Sequence, residues 1–204
     1  MSDIQTKRSM RIFCAVDLPD DVRARAAAHI SRLREAASAT PIKIGWERAE
    51  KLHLTVKFLG ELEPERVEAL MRAATRAAES VEKFALTLAE AGAFPSSGNP
   101  RVLWLGLRDE TKRLAALYER LEEECARESF PREARAFHPH VTIARIRIPN
   151  AAPARHLAKL HRETGFEAAS FNVGELIVMQ SQLGAGGSRY TPLSRHLLKA
   201  ETGG

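Results

Sequence analysis

Two short stretches of the sequence carry the same pair of reactive side chains at the same spacing. Residues 53–56 read His-Leu-Thr-Val, and residues 140–143 read His-Val-Thr-Ile. In a β-strand, alternate side chains point to the same face, so each histidine shares a face with its threonine. The apolar residues between them then face a core. Two such strands lying side by side would present two imidazoles and two hydroxyls to one groove.

A pair of imidazoles on either side of one phosphate can perform acid–base catalysis without a metal. A neutral histidine takes a proton from the nucleophile, and a protonated histidine gives one to the leaving oxygen; both roles suit a pKa near 6.5. Threonine hydroxyls can donate hydrogen bonds to the non-bridging oxygens. This chemistry fits opening of a strained phosphodiester, above all a 2′,3′-cyclic phosphate at an RNA end. A single His-x-Thr is usually structural, but its repetition favours the catalytic interpretation.

Composition indicates an ordinary globular protein. The chain has 204 residues, 44% of them hydrophobic and 28% charged, with a net charge of +5, and its pI is about 9.5. This basicity permits a polyanionic partner and equally serves solubility. The first eleven residues lack an apolar signal-peptide region, and no apolar run reaches membrane-spanning length, so we expect a cytoplasmic protein. Cys14 and Cys125 fit buried, reduced thiols.

Hydrophobic periodicity predicts alternating strands and helices. Strands are expected over 11–16, 42–46, 53–58, 84–88, 101–107, within 135–148, over 171–180 and over 190–199. Helices are expected over about 20–37, from Pro64 to about 81, over about 113–125 and over about 153–164. The glycine-rich stretch 183–188 is expected to be a flexible turn or loop.

This order repeats itself. Phe84 follows His53 by 31 residues, and Phe171 follows His140 by the same number. We therefore expect a duplicated α+β fold: two antiparallel sheets flanking a central groove, with helices on the outside and a pseudo-two-fold axis relating the halves. With no linker evident, residues 1–204 are expected to form a single two-lobed domain, with loose tails at 1–10 and 201–204.

Several segments resemble the two-histidine (2H) phosphoesterase superfamily, and within it the RNA 2′,3′-cyclic phosphodiesterases, also called 2′-5′ RNA ligases. RIFCAVDLP resembles the opening strand of that family, and Trp46 followed by LHLTVKFLGEL resembles its first motif. FPSSGNPRVLWLGL resembles the middle strand-loop-strand, FHPHVTIARI the second motif, and LGAGGSRYTPL the closing hairpin. The resemblance covers nearly the whole chain and implies the 2H fold.

The resemblance also implies roles for individual residues. His53 would be the general acid that protonates the leaving 3′ oxygen, and His140 the general base that activates water, leaving a 2′-phosphate. Thr55 and Thr142 would bind the phosphate, and Arg145 would add a charge-assisted contact. Strict alternation places Arg145 opposite His140, so its role requires a bulge or twist. No cofactor or metal is implied. The expected partner is RNA with cyclic ends, such as tRNA fragments or short oligonucleotides, and a monomer is expected.

The sequence departs from the family pattern at three positions. Ala49 stands where proline is frequent, Lys51 where asparagine is, and His138 where arginine is. His138 and His140 could pair on a metal, but no third ligand is evident, and a contribution of His138 to the groove wall fits better. Lys57, on the strict alternation, shares the face of His53 and lines the groove.

Other residue types admit two interpretations. Phe13, Trp46, Phe58 and Tyr190 could stack on a base or belong to the core. The remaining histidines, His29, His156, His161 and His196, fit surface or structural positions, and the acidic run 122–124 fits a solvated helix face. Related activities remain open: a 2′-5′ ligase, a 2′-5′ oligonucleotide phosphodiesterase, or a non-catalytic protein that binds RNA ends.

Overall fold

The computed structural model describes residues 9–38, 42–147, 151–184 and 187–200. Within these residues the chain forms nine β-strands, four α-helices and one short 3-10 helix, so the predicted α+β class is confirmed. The strands are β1 (Met10–Asp17), β2 (Ile44–Trp46), β3 (His53–Leu62), β4 (Phe84–Phe94), β5 (Val102–Arg108), β6 (His140–Ile146), β7 (Ala169–Val173), β8 (Glu175–Gly184) and β9 (Gly187–Leu197). The helices are α1 (Asp20–Ala36), α2 (Pro64–Glu79), α3 (Arg113–Arg127) and α4 (Ala151–Thr164); the 3-10 helix is Ala49–Lys51.

The strands form one antiparallel sheet with the order β7-β4-β5-β6-β3-β1-β8-β9, and β2 adds to β6. Its two halves meet where β3 lies beside β6, through the pair Leu54–Val141. The two sheets expected from the sequence are therefore joined at this point. On each side of the junction, the first strand is a motif strand, β3 or β6. The next strand is the one with which the same sequence repeat begins, β1 or β5. This order agrees with a pseudo-two-fold arrangement; the two-lobed description stays a prediction.

One half of the sheet, β3-β1-β8-β9, contains strands from both ends of the chain, whereas the strands β4 to β7 of the other half follow one another in the sequence. β4, from the first repeat, pairs with β5 and β7, while β8, from near the end of the chain, pairs with β1 and β9. The repeats thus exchange a strand. Because the half β3-β1-β8-β9 combines strands from the two ends of the chain, no single boundary in the sequence divides the sheet into its halves, and this accounts for the absence of an evident linker.

The helices bury the faces that their periodicity predicts. Val22, Ala26, Ile30 and Leu33 of α1 are buried, as are Leu114, Leu117, Leu121 and Cys125 of α3. Fully burying such a leucine stabilises the fold by about 1.5–3 kcal/mol. Cys14 and Cys125 are buried free thiols, as expected. In the described residues no helix is long and apolar enough to traverse a bilayer.

The structure corrects two of the predicted strands and one predicted loop. Residues 171–180 do not form one strand, because the chain leaves β7 at Val173, passes Gly174, and enters β8 beside β1. β3 continues to Leu62 through Gly60, whose positive φ of 78° suits glycine. The expected loop at 183–188 is shorter, since the pairing of β8 with β9 extends to Gly184 and Gly187.

The expected tails are described only in part. Residue 10 of the predicted N-terminal tail belongs to β1, residues 1–8 lie outside the described residues, and so do residues 201–204.

Candidate active site

The two His-x-Thr stretches open their strands and face a common groove. His53, Thr55, His140 and Thr142 all line one cavity of about 870 Å³. The alternation predicted from the sequence holds here, because the intervening side chains, Leu54 and Val141, are fully buried. The sheet therefore brings together the four residues that the sequence singled out.

Both imidazoles are held by the same backbone contact. Nδ1 of His53 lies 2.7 Å from the carbonyl oxygen of Lys51, and Nδ1 of His140 lies 2.7 Å from that of His138. A carbonyl only accepts, so each Nδ1 carries the hydrogen. In each neutral ring Nε2 therefore carries no hydrogen and can accept one. In both motifs, the backbone carbonyl of the residue two positions before the histidine fixes the tautomer of the ring.

The threonines differ in their contacts with the rings. The Thr55 hydroxyl lies 3.1 Å from Nε2 of His53, where it donates to the neutral imidazole and accepts from the protonated one. Thr142 lines the same groove beside His140. The Thr55 hydroxyl can thus keep its hydrogen bond to Nε2 in both protonation states of His53, by acting as donor in one and as acceptor in the other.

Burial lowers the pKa of both histidines, and this is the largest effect on each. For His53 the lowering is opposed by the hydrogen bond to the Lys51 carbonyl and by the charge of Asp17. For His140 it is opposed by the hydrogen bond to the His138 carbonyl, while the cation of Arg145 lowers the pKa further. Without a bound anion, both rings favour the neutral form at pH 7.

A β-bulge in each motif strand reverses the alternation after the threonine. In β6 the register with β5 shifts so that Thr142 pairs with Trp104 and Ala144 with Leu103. Arg145 consequently points into the groove with the histidines, as a bulge would require, and its guanidinium lies 3.7 Å from Glu47. Its side chain is 60% exposed.

The matching bulge in β3 overturns the expectation for Lys57. Thr55 pairs with Ala15, and Lys57 pairs with Cys14. The chain therefore advances two residues along β3 while it advances one residue along β1. Lys57 therefore turns away from the groove and is buried. Phe58 takes the position on the groove side that is equivalent to Arg145.

Lys57 forms a buried ion pair with Glu122, which corrects the solvated-face interpretation of residues 122–124. The lysine also donates to the carbonyl oxygen of Pro131 at 3.0 Å, and Glu122 accepts from the backbone N–H of Glu133. Glu124 is buried too and pairs with Arg76. Helical periodicity identified the inward leucines of α3 but not a buried carboxylate, because the bulge that supplies its partner left no sequence signal.

Aromatic side chains pack against each catalytic candidate. His53 contacts Phe13 and Tyr190, with ring centroids 4.9 and 5.0 Å away. His140 contacts Phe94 at 5.1 Å in an edge-on geometry. The four aromatic candidates for base stacking, Phe13, Trp46, Phe58 and Tyr190, all line the groove, whereas the role of Phe94 was not foreseen.

The charge of the groove is strongly positive. One carboxylate, that of Glu47, lies among its lining residues in the described part of the chain. The basic lining residues are Arg11, Arg34, Arg48, Lys51, Arg145 and Arg147. They are dispersed over four segments of the chain, so no local motif in the sequence indicates them. Such a surface attracts a polyanion.

The other histidines lie elsewhere. His138 is exposed, with its ring 6.4 Å from that of Phe94, and it acts on His140 through its backbone carbonyl rather than as groove wall. In the ranges that the structure describes, no cluster of three or more His, Cys, Asp or Glu side chains could hold a metal. His29, His161 and His196 are buried, and His156 is exposed.

Comparison with known proteins places this chain in a family. The sequence profile of the 2′-5′ RNA ligase superfamily matches residues 18–185. An RNA 2′,3′-cyclic phosphodiesterase of Aeropyrum pernix is 34% identical over 80% of this chain and 92% of its own. One from Escherichia coli is 34% identical over 92% of this chain and 96% of its own.

Solved structures agree with this result. Thermus thermophilus TT0787 superposes with a TM-score of 0.71 at 27% identity, covering 94% of this chain and all of its own. Escherichia coli LigT in complex with 3′-AMP gives a TM-score of 0.68 at 32% identity, covering 93% of this chain and 98% of its own. With its repeated His-x-Thr strands, the chain belongs to the 2′-5′ RNA ligase superfamily.

Proposed function

We propose that this protein hydrolyses 2′,3′-cyclic phosphate ends of RNA to 2′-phosphomonoesters by acid–base catalysis with two histidines. The observation that carries the proposal is the matched pair of Nε2 atoms, each freed by a backbone contact at Nδ1 and each facing one groove. The names of the Aeropyrum pernix and Escherichia coli relatives support the same substrate.

In the proposed reaction, Nε2 of His140 takes a proton from a water molecule as its oxygen attacks phosphorus. The bond from phosphorus to O3′ breaks, and protonated Nε2 of His53 gives its proton to that oxygen. Water is thereby added across the P–O3′ bond, leaving a 2′-phosphate and a 3′-hydroxyl. Proton exchange with solvent then returns both rings to their starting states.

The remaining groups of the groove bind charge. Thr55, Thr142 and Arg145 donate to the non-bridging oxygens as negative charge builds in the transition state. The low pKa of His140 keeps the base neutral and ready at pH 7. His53 must be protonated instead, and the phosphate anion that binds beside it favours that form.

The walls of the groove suit a single-stranded RNA end. Six basic side chains can bind its backbone, and exposed Phe58, together with Trp46 and Tyr190, offers surfaces for unstacked bases. We propose that the substrates are short oligonucleotides or fragments of larger RNAs. We also propose that the protein acts as a monomer.

The test is incubation of the protein with a short RNA bearing a 2′,3′-cyclic phosphate in excess EDTA, with identification of the product. The proposal expects a 2′-phosphate at an undiminished rate. Absence of hydrolysis would contradict the proposed activity, a 3′-phosphate would reverse the assignment of acid and base, and loss of activity with EDTA would show a metal requirement.

A second candidate activity is formation or cleavage of a 2′-5′ linkage, supported by the superfamily that the chain matches. Attack by an RNA 5′-hydroxyl in place of water joins it to the 2′-phosphate by the same proton transfers. Supplying 5′-hydroxyl RNA in the assay distinguishes the two activities, since ligation gives a longer product. A non-catalytic protein that binds RNA ends would retain affinity and give neither product.

A further inference from the structure

The surroundings of the two histidines are not symmetric, although their strands are. Across the β1–β3 ladder, the residue opposite His53 is Asp17. Across the equivalent β5–β6 ladder, the residue opposite His140 is Gly106. The repeat thus places a carboxylate beside one imidazole and no side chain beside the other.

The carboxylate of Asp17 is held in place at the start of α1. Its Oδ1 accepts a hydrogen bond of 3.2 Å from the backbone N–H of Leu18 and pairs with the guanidinium of Arg23. The side chain of Asp17 is 31% exposed. These contacts fix its charge at the end of β1, close to the strand position from which the His53 ring projects.

We propose that Asp17 is a positioning residue that, through His53, decides which histidine is the acid. This inference rests on the proposed function and deepens it, because a duplicated fold alone leaves the two roles interchangeable. A negative charge near one imidazole stabilises its protonated form, whereas His140 has no carboxylate opposite it in its strand pair.

None of the other charged groups that act on the rings raises the pKa of either histidine. His53 meets Arg23 from α1, Arg145 from β6 and the Tyr190 phenol from β9. Arg145 also acts on His140, together with the His138 ring. Burial and the backbone carbonyl contact act on both histidines in the same direction. Asp17 is the anion that raises the pKa of one ring, and it does so against Arg23, while the His138 ring lowers the pKa of His140 alone.

The sign of the effect can be derived for the variant Asp17→Asn, which keeps the acceptor for the Leu18 N–H. Removing the charge lowers the pKa of His53, so the acid loses its proton at lower pH. The basic limb of the kcat profile then moves to lower pH and the acidic limb stays. We expect a loss of kcat of about 3- to 10-fold above the optimum, and a smaller loss below it.

Asp20→Asn is the matched control. Asp20 is a fully exposed carboxylate on the same helix start and also pairs with Arg23, at 3.5 Å. The variant removes the same charge from the same arginine without changing the ladder partner of His53. Its pH profile should match that of the unaltered protein, and thermal unfolding checks that both variants fold.

A substrate with a different leaving group shows whether Asp17 assists the general acid or the general base. Replacing O3′ of the cyclic phosphate by sulfur gives a thiolate that leaves without a proton. If Asp17 acts through the acid, the losses in Asp17→Asn and His53→Ala shrink on this substrate, while that of His140→Ala remains. An equal loss for Asp17→Asn on both substrates, or movement of the acidic limb, overturns the proposal.

A measurement without substrate distinguishes failure of this inference from failure of the proposed function. NMR titration of the imidazole carbon-bound protons reports the pKa of each histidine in the full chain. Asp17→Asn should lower the pKa of His53 and leave that of His140 unchanged, whatever the protein hydrolyses. An unchanged His53 titration would overturn the role of Asp17 even in an active phosphodiesterase.

Discussion

Leu54 of β3 lies opposite Val141 of β6, and each is the residue that follows a motif histidine. In an antiparallel pair, two residues directly opposite each other are related by a local two-fold axis. Continuing this register sets His53 across from Thr142 and Thr55 across from His140. Each histidine therefore shares its part of the groove with the threonine of the other repeat, and the two motifs form one site.

Because one site needs both rings, His53→Ala and His140→Ala should each reduce the hydrolysis rate of a cyclic phosphate by about 10² to 10⁴. Initial rates on a short cyclic-phosphate RNA provide the measurement. His156→Ala, on the exposed surface of α4, is the control and should be unaffected. Near-normal turnover in either motif variant would rule out the two-histidine mechanism.

Arg145→Met should reduce kcat/KM by about 10- to 100-fold, since a hydrogen bond to a charged group typically contributes about 1.5–3 kcal/mol. Arg145→Lys should recover part of the loss by restoring charge without the planar fork. Steady-state kinetics give the comparison, with exposed Arg120→Met on α3 as control. An unchanged kcat/KM in Arg145→Met would leave the arginine as a surface residue.

The buried Lys57–Glu122 pair predicts an effect on stability. Glu122→Gln leaves the lysine buried without its counter-charge and should lower the free energy of unfolding by about 3–5 kcal/mol. The exposed Arg120–Glu123 pair offers the comparison, because Glu123→Gln should cost about 0–1 kcal/mol. Urea unfolding measures both, and equal losses would contradict this account of the bulge.

Acid should weaken the fold through His29. His161 donates from Nε2 to the Trp104 carbonyl and therefore accepts at Nδ1 from Nε2 of His29, 3.1 Å away. Burial lowers the pKa of His29 to about 4. The unfolded chain thus binds more protons than the folded one between pH ~6.5 and ~4, so stability falls as pH falls, by about 3 kcal/mol over that range.

The variant His29→Gln tests this account, since its amide can still donate to His161 but does not titrate. Melting temperatures followed from pH 7 to 4 should decline less steeply in His29→Gln than in the unaltered chain. His156→Gln, at an exposed position, should follow the unaltered chain. Parallel slopes for all three proteins would show that the buried pair does not control acid stability.

Periodicity predicted the parts of the molecule that repeat. The strand alternation of His53 and Thr55, the inward leucines of the helices, and the duplicated α+β order were all readable, because each depends on local spacing. The register that β3 and β6 form with their neighbouring strands could not be predicted in this way. One bulge moved Arg145 into the groove and the equivalent one moved Lys57 out of it, and a bulge changes geometry without changing the residue pattern before it.

Long-range partners were equally hidden. The division of the predicted 171–180 strand follows from which neighbours β7 and β8 join, β4 in one case and β1 in the other. Asp17 lies beside His53 because of the register of two strands, although the two residues are 36 positions apart in the sequence. No window of local sequence contains that information.

The exchange of strands between the repeats affects what cleavage of the chain can do. Residues 95–99 form an exposed segment between β4 and β5. A protease cut there yields one fragment carrying His53 and another carrying His140. The first fragment supplies β4 to the half built on β5, and the second supplies β8 to the half built on β1. Each fragment of the nicked protein consequently contributes one strand to the half of the sheet built on the other fragment. The two fragments should therefore stay associated, with both histidines in one complex.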